Sequence, residues 1–176
     1  MHLGLVPTQF GISYTVPLLK GNKNYNKNLT VQDYRGISIS PVVSKVFEHC
    51  ILHRFNDFLT TADNQLIFKK SLSCLQAIYC VHNIVNHYVS NGSTVNLCAL
   101  DITKAFDRMN HHGLFIKLMS RYIPVSLLEV LEYWFSICTT CVIWNNVHSR
   151  MSKLTSGVRQ GGVCHHTFLL FILTIS

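Results

Sequence analysis

The stretch LDITKAFD, Leu100 to Asp107, holds two of the chain's eight carboxylates and closes an apolar run. That run, Thr94 to Leu100 (TVNLCAL), follows the turn signal Asn91-Gly92 and carries two β-branched residues, so it predicts a largely buried strand with Asp101 at its C-terminal end. A carboxylate there is costly unless a cation or hydrogen-bond donors compensate it. Two readings stand open. Asp101 with the backbone carbonyl of Ile102 offers the hard oxygen ligands that Mg²⁺ accepts, or Asp101 or Thr103 simply caps the helical turn TKAF. For Asp107, beside Arg108, a charge serving the local turn is the simpler reading.

Outward from this centre the chain alternates strand and helix patterns. Thr15 to Leu19 reads as a short strand, and the polar run Lys20 to Gln32 as a basic loop able to close over an anion. Ser40-Pro41 supplies an N-cap and a first-turn proline for a helix over about 41–59, with Val43, Phe47, Cys50, Ile51, Phe55 and Phe58 at helical spacing. A second helix covers about 74–90, with Ala77, Ile78, Val81, Val85 and Tyr88 on one face. Two short helices broken at Ile123-Pro124 fill 112–135, a turn-broken hairpin follows over 139–155, and an apolar helix starts after the glycine-rich stretch Gly157 to Gly162. No repeat, low-complexity tract or linker interrupts the pattern.

With 176 residues and 48% hydrophobic content the chain has the size of one domain with a real core, which argues against disorder. Fifteen Lys and Arg against eight Asp and Glu give a net charge of +7, which favours a polyanionic partner, most often nucleic acid. The cations Lys20, Lys23, Lys27 and Arg35 put much of that charge in the N-terminal half. Seven irregularly spaced cysteines and a start without a basic-then-apolar order point to a reducing, intracellular setting. The apolar run Phe168 to Leu173 is far shorter than the roughly 20 residues a membrane span needs.

LCALDITKAFDRMNHH resembles motif A of the reverse transcriptases of non-LTR retrotransposons, and SGVRQGGV at 156–163 resembles their motif B. VPLLKGNK at 16–23 and DYRGISISPVVSKVFE at 33–48 resemble the fingers region, and DNQLIFKKSLSC at 63–74 the loop that follows, all in the family's order. The resemblance implies an α/β fold, a partial right-hand polymerase with fingers over 1–93 and the first half of the palm over 94–176. It implies an RNA template, a DNA primer and dNTPs as partners, Mg²⁺ or Mn²⁺ as cofactor, and an intracellular product of nucleus and cytoplasm. By the same resemblance Asp101 is the first catalytic carboxylate and, with the Ile102 carbonyl, a metal ligand. Phe106 is the aromatic gate against a 2′-hydroxyl, Lys20 and Arg35 hold the triphosphate, and Gln160 with Gly161 lets the backbone approach nucleotide and template.

The sequence departs from the family at three places. The second carboxylate pair, x-Asp-Asp, is not present, and no Asp or Glu follows Glu132, so the isolated chain is expected to lack polymerase activity. Cys164, His165 and His166 stand where the family has a leucine, a small residue and a proline, which unsettles the start of the motif B helix. Leu66, Ile67 and Ser71 replace the usual Phe, Gly and Gly, and the tail FLLFIL is expected to lack cover. The alternative is a non-catalytic nucleic-acid-binding remnant. A zinc site on Cys138 and Cys141 with His148, His165 or His166 lacks a second close pair. His111 and His112 read as scaffold, and Trp134 and Trp144 as core rather than as a base-stacking platform.

Overall fold

The structure, a computed structural model, describes residues 5–21, 28–59, 66 and 73–173. The Ile67 and Ser71 departures lie outside these residues. The chain divides into two compact units, one of residues 1–60 and 104–176, the other of residues 61–103.

The first unit is built on a mixed sheet. Strand β1 (Ile12–Leu19) pairs antiparallel with β2 (Tyr34–Ile39) and parallel with β3 (Thr139–Trp144). The short strands β4 (Val147–His148) and β5 (Ser152–Lys153) each return antiparallel on β3. The β3–β4 turn is made by Asn145 and Asn146, both at positive φ (48° and 61°), the pair of left-handed residues a two-residue hairpin needs. The hairpin thus lies where the sequence predicts it. β1 begins three residues earlier than expected, and β2 was not foreseen.

Helix α1 (Val42–Arg54) follows β2. Its N-cap is Pro41, one residue beyond the expected Ser40, whose buried hydroxyl has no partner among the described residues. Its buried line is Ser44, Glu48 and Ile51, while Val43 is 62% exposed, so the helix turns a different face inward from the one its apolar residues suggest. Helices α3 (His111–Ser120) and α4 (Val125–Ser136) break where expected, with Tyr122 at φ 55° and Pro124 as the cap of α4. Both pack with α5 (Val163–Leu173) around Leu114, Leu118, Leu131, Trp134, Phe168 and Phe171, all within 2% of full burial. An all-round apolar helix is stable only when covered, and here α1 and α3 cover it. The tail FLLFIL therefore does have cover: Phe168, Leu169, Leu170 and Phe171 are buried, and the Arg121 guanidinium lies 4.3 Å over the Phe171 ring.

The second unit contains helix α2 (Cys74–Ser90), as the sequence predicts, started by Ser73, whose backbone N–H donates to Gln76 Oε1 at 2.8 Å. None of its residues is buried. Residues 94–100 are not a buried strand. They form no ladder, and Leu97 and Leu100 are 71% and 91% exposed. A strand needs a partner edge, and the one parallel partner β1 takes is β3.

Candidate functional site

The fingers cations sit at one end of the β1–β2 ribbon. Arg35 is opposite Leu18, and Lys20 follows Leu19, the partner of Tyr34. The Lys20 backbone N–H donates to the Asp33 carbonyl and its Nζ to the Gln32 carbonyl, both at 2.9 Å. Arg35 is exposed and Lys20 half-buried. The loop carrying Gln160 and Gly161 is bound to the outer edge of the same ribbon, where the Ser38 N–H donates to the Gln160 carbonyl at 2.7 Å. Gly161 has φ +127°, and a Cβ there would stand 2.6 Å from the Ser38 carbonyl oxygen, so the approach requires glycine. Arg35 and the motif B loop thus share strand β2.

Phe106 joins them through the start of the same loop. The N–H of Val158 donates to the Phe106 carbonyl at 2.8 Å, and that of Gly157 to the Met109 carbonyl at 2.7 Å. His111 Nε2 lies 2.6 Å from the Gly157 carbonyl, which can only accept, so this nitrogen carries the proton. The Phe106 ring meets His166 edge to face at 5.3 Å. Burial holds the His166 imidazole below its ordinary pKa, against the opposing pull of the Gly162 backbone. Lys20, Arg35, Phe106, Gln160 and Gly161 all belong to the first unit.

Asp101 and Ile102 belong to the second unit and are both exposed, Ile102 at 53%. The expected desolvated carboxylate at a strand end is instead an exposed one in a segment without regular secondary structure. A carboxylate and a neighbouring carbonyl still match the oxygen chemistry of a magnesium ion that keeps water and phosphate in its other positions. They do not by themselves make a paired-metal clamp, and among the described residues no cluster of three or more His, Cys, Asp or Glu comes together. Cys141 meets His148 at 3.8 Å, while Cys138 is turned to Arg159, so the two thiols are engaged separately.

Two buried side chains that sequence reasoning missed hold the motif B region in position. Arg159, 3% exposed, donates from Nη1 to the Phe10 carbonyl and from Nη2 to the Gly11 carbonyl, each at 3.1 Å, and from Nη2 to Cys138 Sγ. Burial pushes the Cys138 thiol up, with the Arg159 charge opposing. Glu48, fully buried on α1, accepts the Cys164 N–H at 2.8 Å and faces His165 Nδ1 at 3.5 Å. Burial alone would raise this carboxyl. His165 and the backbone N–H groups of Cys164 and Val163 outweigh it and hold the group below the usual carboxylate value. The residues that unsettled the start of the motif B helix are thus the ones that anchor it. Gly162 is required because its Cβ would collide with the His165 ring. Glu48 is the lone acid of α1, between Ser44 and Ile51, and that was its available sequence signal; Arg159 gave none beyond its place in a glycine-rich loop.

An RQGG loop is thus docked on a basic ribbon, with an aromatic residue of the ITKAFD segment at its base. The match to the family described as reverse transcriptase (RNA-dependent DNA polymerase) covers residues 21–172, and the chain belongs to that family. It is 29% identical over 139 residues, 75% of its length, to a probable RNA-directed DNA polymerase from transposon BS of Drosophila melanogaster. It is 26% identical over 171 residues, 93% of its length, to the RNA-directed DNA polymerase from mobile element jockey of Drosophila funebris. With the probable polymerase from transposon X-element of Drosophila melanogaster it shares 30% over 135 residues, 74% of its length. The chain spans only 15% to 18% of the length of these relatives, so it corresponds to a fragment of them. The resemblance to non-LTR retrotransposon reverse transcriptases holds, and the described architecture is mixed α/β with one sheet and five helices. Among the described residues no helix is long and apolar enough to cross a membrane.

Proposed function

We propose that this chain supplies the fingers and the first half of the palm of a right-hand RNA-directed DNA polymerase, fingers over 1–93 and palm over 94–176. Intact relatives would add dNTPs to a primer 3′-end on an RNA template inside the cell, in nucleus and cytoplasm. Lys20 and Arg35 grip the triphosphate, Arg35 as a bidentate fork and Lys20 as a mobile point charge. Phe106 excludes a 2′-hydroxyl by bulk, and Gln160 and Gly161 bring bare backbone to the nucleotide and template. Asp101 and the Ile102 carbonyl would hold Mg²⁺ or Mn²⁺, which neutralises phosphate charge during phosphoryl transfer. The 2.7 Å bond between Ser38 and Gln160 carries this reading, because it joins the triphosphate-facing ribbon to the template-facing loop.

The test is binding of an RNA–DNA primer–template to the 176-residue chain at low salt, with and without the matching dNTP and Mg²⁺. Tightening by the matching dNTP, lost in Lys20→Ala and Arg35→Ala, is expected; dNTP-independent binding in the unaltered chain would refute the assignment. The one carboxylate Asp101 cannot organise two metals, so no primer extension above an Asp101→Ala control is expected from these residues alone. If the chain binds nucleic acid without any nucleotide dependence, the non-catalytic binding remnant is the better description.

A further inference from the structure

Two aromatic residues depart from expectation in the structure. Trp144, read as core, is 48% exposed at the end of β3. His166, which stands where the family has a proline, is half-buried on α5 and lies against Phe106, ring centroids 5.3 Å apart and planes at 81°. A proline at this place offers a neighbouring ring only aliphatic bulk. An imidazole offers an edge-to-face contact, whose geometry favours one orientation of the partner ring as well as one distance.

The backbone and the ring of Phe106 are held by different groups. Its carbonyl accepts the Val158 N–H at 2.8 Å, and a Cβ on Gly157 would stand 2.7 Å from the same carbonyl oxygen, so the motif B loop fixes the main chain there. Neither contact touches the side-chain torsions. Among the described residues the one aromatic ring that meets Phe106 is His166. The imidazole is itself tied to the Gly162 backbone, one residue from Gly161, and burial holds it below its ordinary pKa. At neutral pH it therefore packs as an uncharged ring and is not a further cation for the triphosphate.

We propose that His166 is a positioning residue for sugar selection: its imidazole, anchored on the motif B loop, holds the Phe106 ring in the orientation that excludes a 2′-hydroxyl. This rests on the polymerase reading and on the gate role of Phe106, and adds a residue through which the gate is set. One side chain thus links the glycine loop to the aromatic gate. A ring excludes a hydroxyl only while it stays in place, so loss of the imidazole lets Phe106 turn aside and admits the ribose form.

The experiment compares, on the whole chain, how far the matching dNTP and the ribonucleotide of the same base each tighten binding of an RNA–DNA primer–template. The unaltered chain should prefer the dNTP. His166→Leu keeps apolar bulk but removes the ring, and should narrow that preference about threefold to tenfold by raising the ribonucleotide's effect, while His166→Phe restores most of it. Phe106→Ala should narrow it at least as much, and adding His166→Leu to Phe106→Ala should change nothing further. Undiminished preference in His166→Leu, no rescue by His166→Phe, or further narrowing in the double variant would overturn the proposal. In the unaltered chain, nuclear Overhauser contacts between the His166 and Phe106 rings are expected, and their absence would overturn it however the variants fold. Tightening by both nucleotides alike in the unaltered chain would overturn it and leave the polymerase assignment standing. Tightening by neither would overturn both.

Discussion

Replacing Glu48 by alanine should release the motif B helix from α1. The carboxylate is fully buried, one oxygen accepts the Cys164 N–H at 2.8 Å, and the His165 ring stands 3.5 Å away. Those N–H groups are in the first turn of α5, where the helix supplies donors without internal partners. Stranding a buried donor costs about 1–3 kcal/mol. Loss of a negative charge at the positive end of the helix adds roughly 0.3–2 kcal/mol. The other carboxylate oxygen has no hydrogen-bond partner, so removing it returns part of this and leaves a net loss of about 2–4 kcal/mol. For a chain of this size that is a fall in melting temperature of roughly 4–16 °C, followed by circular dichroism. Glu48→Gln keeps an acceptor for Cys164 and should lose no more than about half as much. An alanine variant that melts with the unaltered chain, or a glutamine variant as unstable as the alanine one, would refute this account of the anchor.

The same carboxyl sets an acid limb. Its native pKa lies below its unfolded value, so its contribution is complete above the ordinary carboxylate range and is lost as the pH falls through the lower native value. Glu48→Gln should therefore flatten stability against pH on the acid side, measured by urea unfolding. Gly161→Ala should break the Ser38–Gln160 bond, because a Cβ would press on the Ser38 carbonyl at φ +127°; a loss of about 2 kcal/mol and of hydrogen-exchange protection at the Ser38 amide is expected. Cys50, Cys74, Cys80 and Cys98 are exposed and should react at once with a thiol reagent. Cys138, Cys141 and Cys164 are buried, and the burial that raises the Cys138 and Cys164 thiols should keep those two silent until the chain unfolds.

The helices were legible because each announces itself locally. Ser73 with Gln76, Pro124, and the apolar run after Gly162 are start signals that need no distant partner. Strands have no such autonomy. TVNLCAL has the composition of a buried strand and forms none, whereas Tyr34 to Ile39, interrupted by Gly36, becomes β2 because β1 offers an edge in register. The inward face of α1 was misread because its deepest side chains are a serine and a glutamate. Their partners are distant: the Ser44 hydroxyl donates to the Phe10 carbonyl, and Glu48 accepts from Cys164 on α5, 116 positions away. Arg159 is hidden in the same way, its acceptors at Phe10 and Gly11 lying nearly a chain length away. The candidate nucleotide-facing residues were reached through the resemblance and not from physics alone, since an exposed arginine on a ribbon looks like any other until a glycine loop is seen bound beside it.

The parallel pairing of β1 with β3 also fixes an order of events during synthesis. Ser13 accompanies Thr139 across 126 positions, and no shorter part of the chain can supply that edge. At roughly 5–20 residues per second, a ribosome takes about 6–25 s to deliver the second strand after the first. Once β2 has been made, β1 has its hairpin partner on one side and an open row of amides and carbonyls on the other until β3 arrives. The nascent protein is then at its most adhesive, and what shields that edge in the meantime decides how much of the product escapes aggregation.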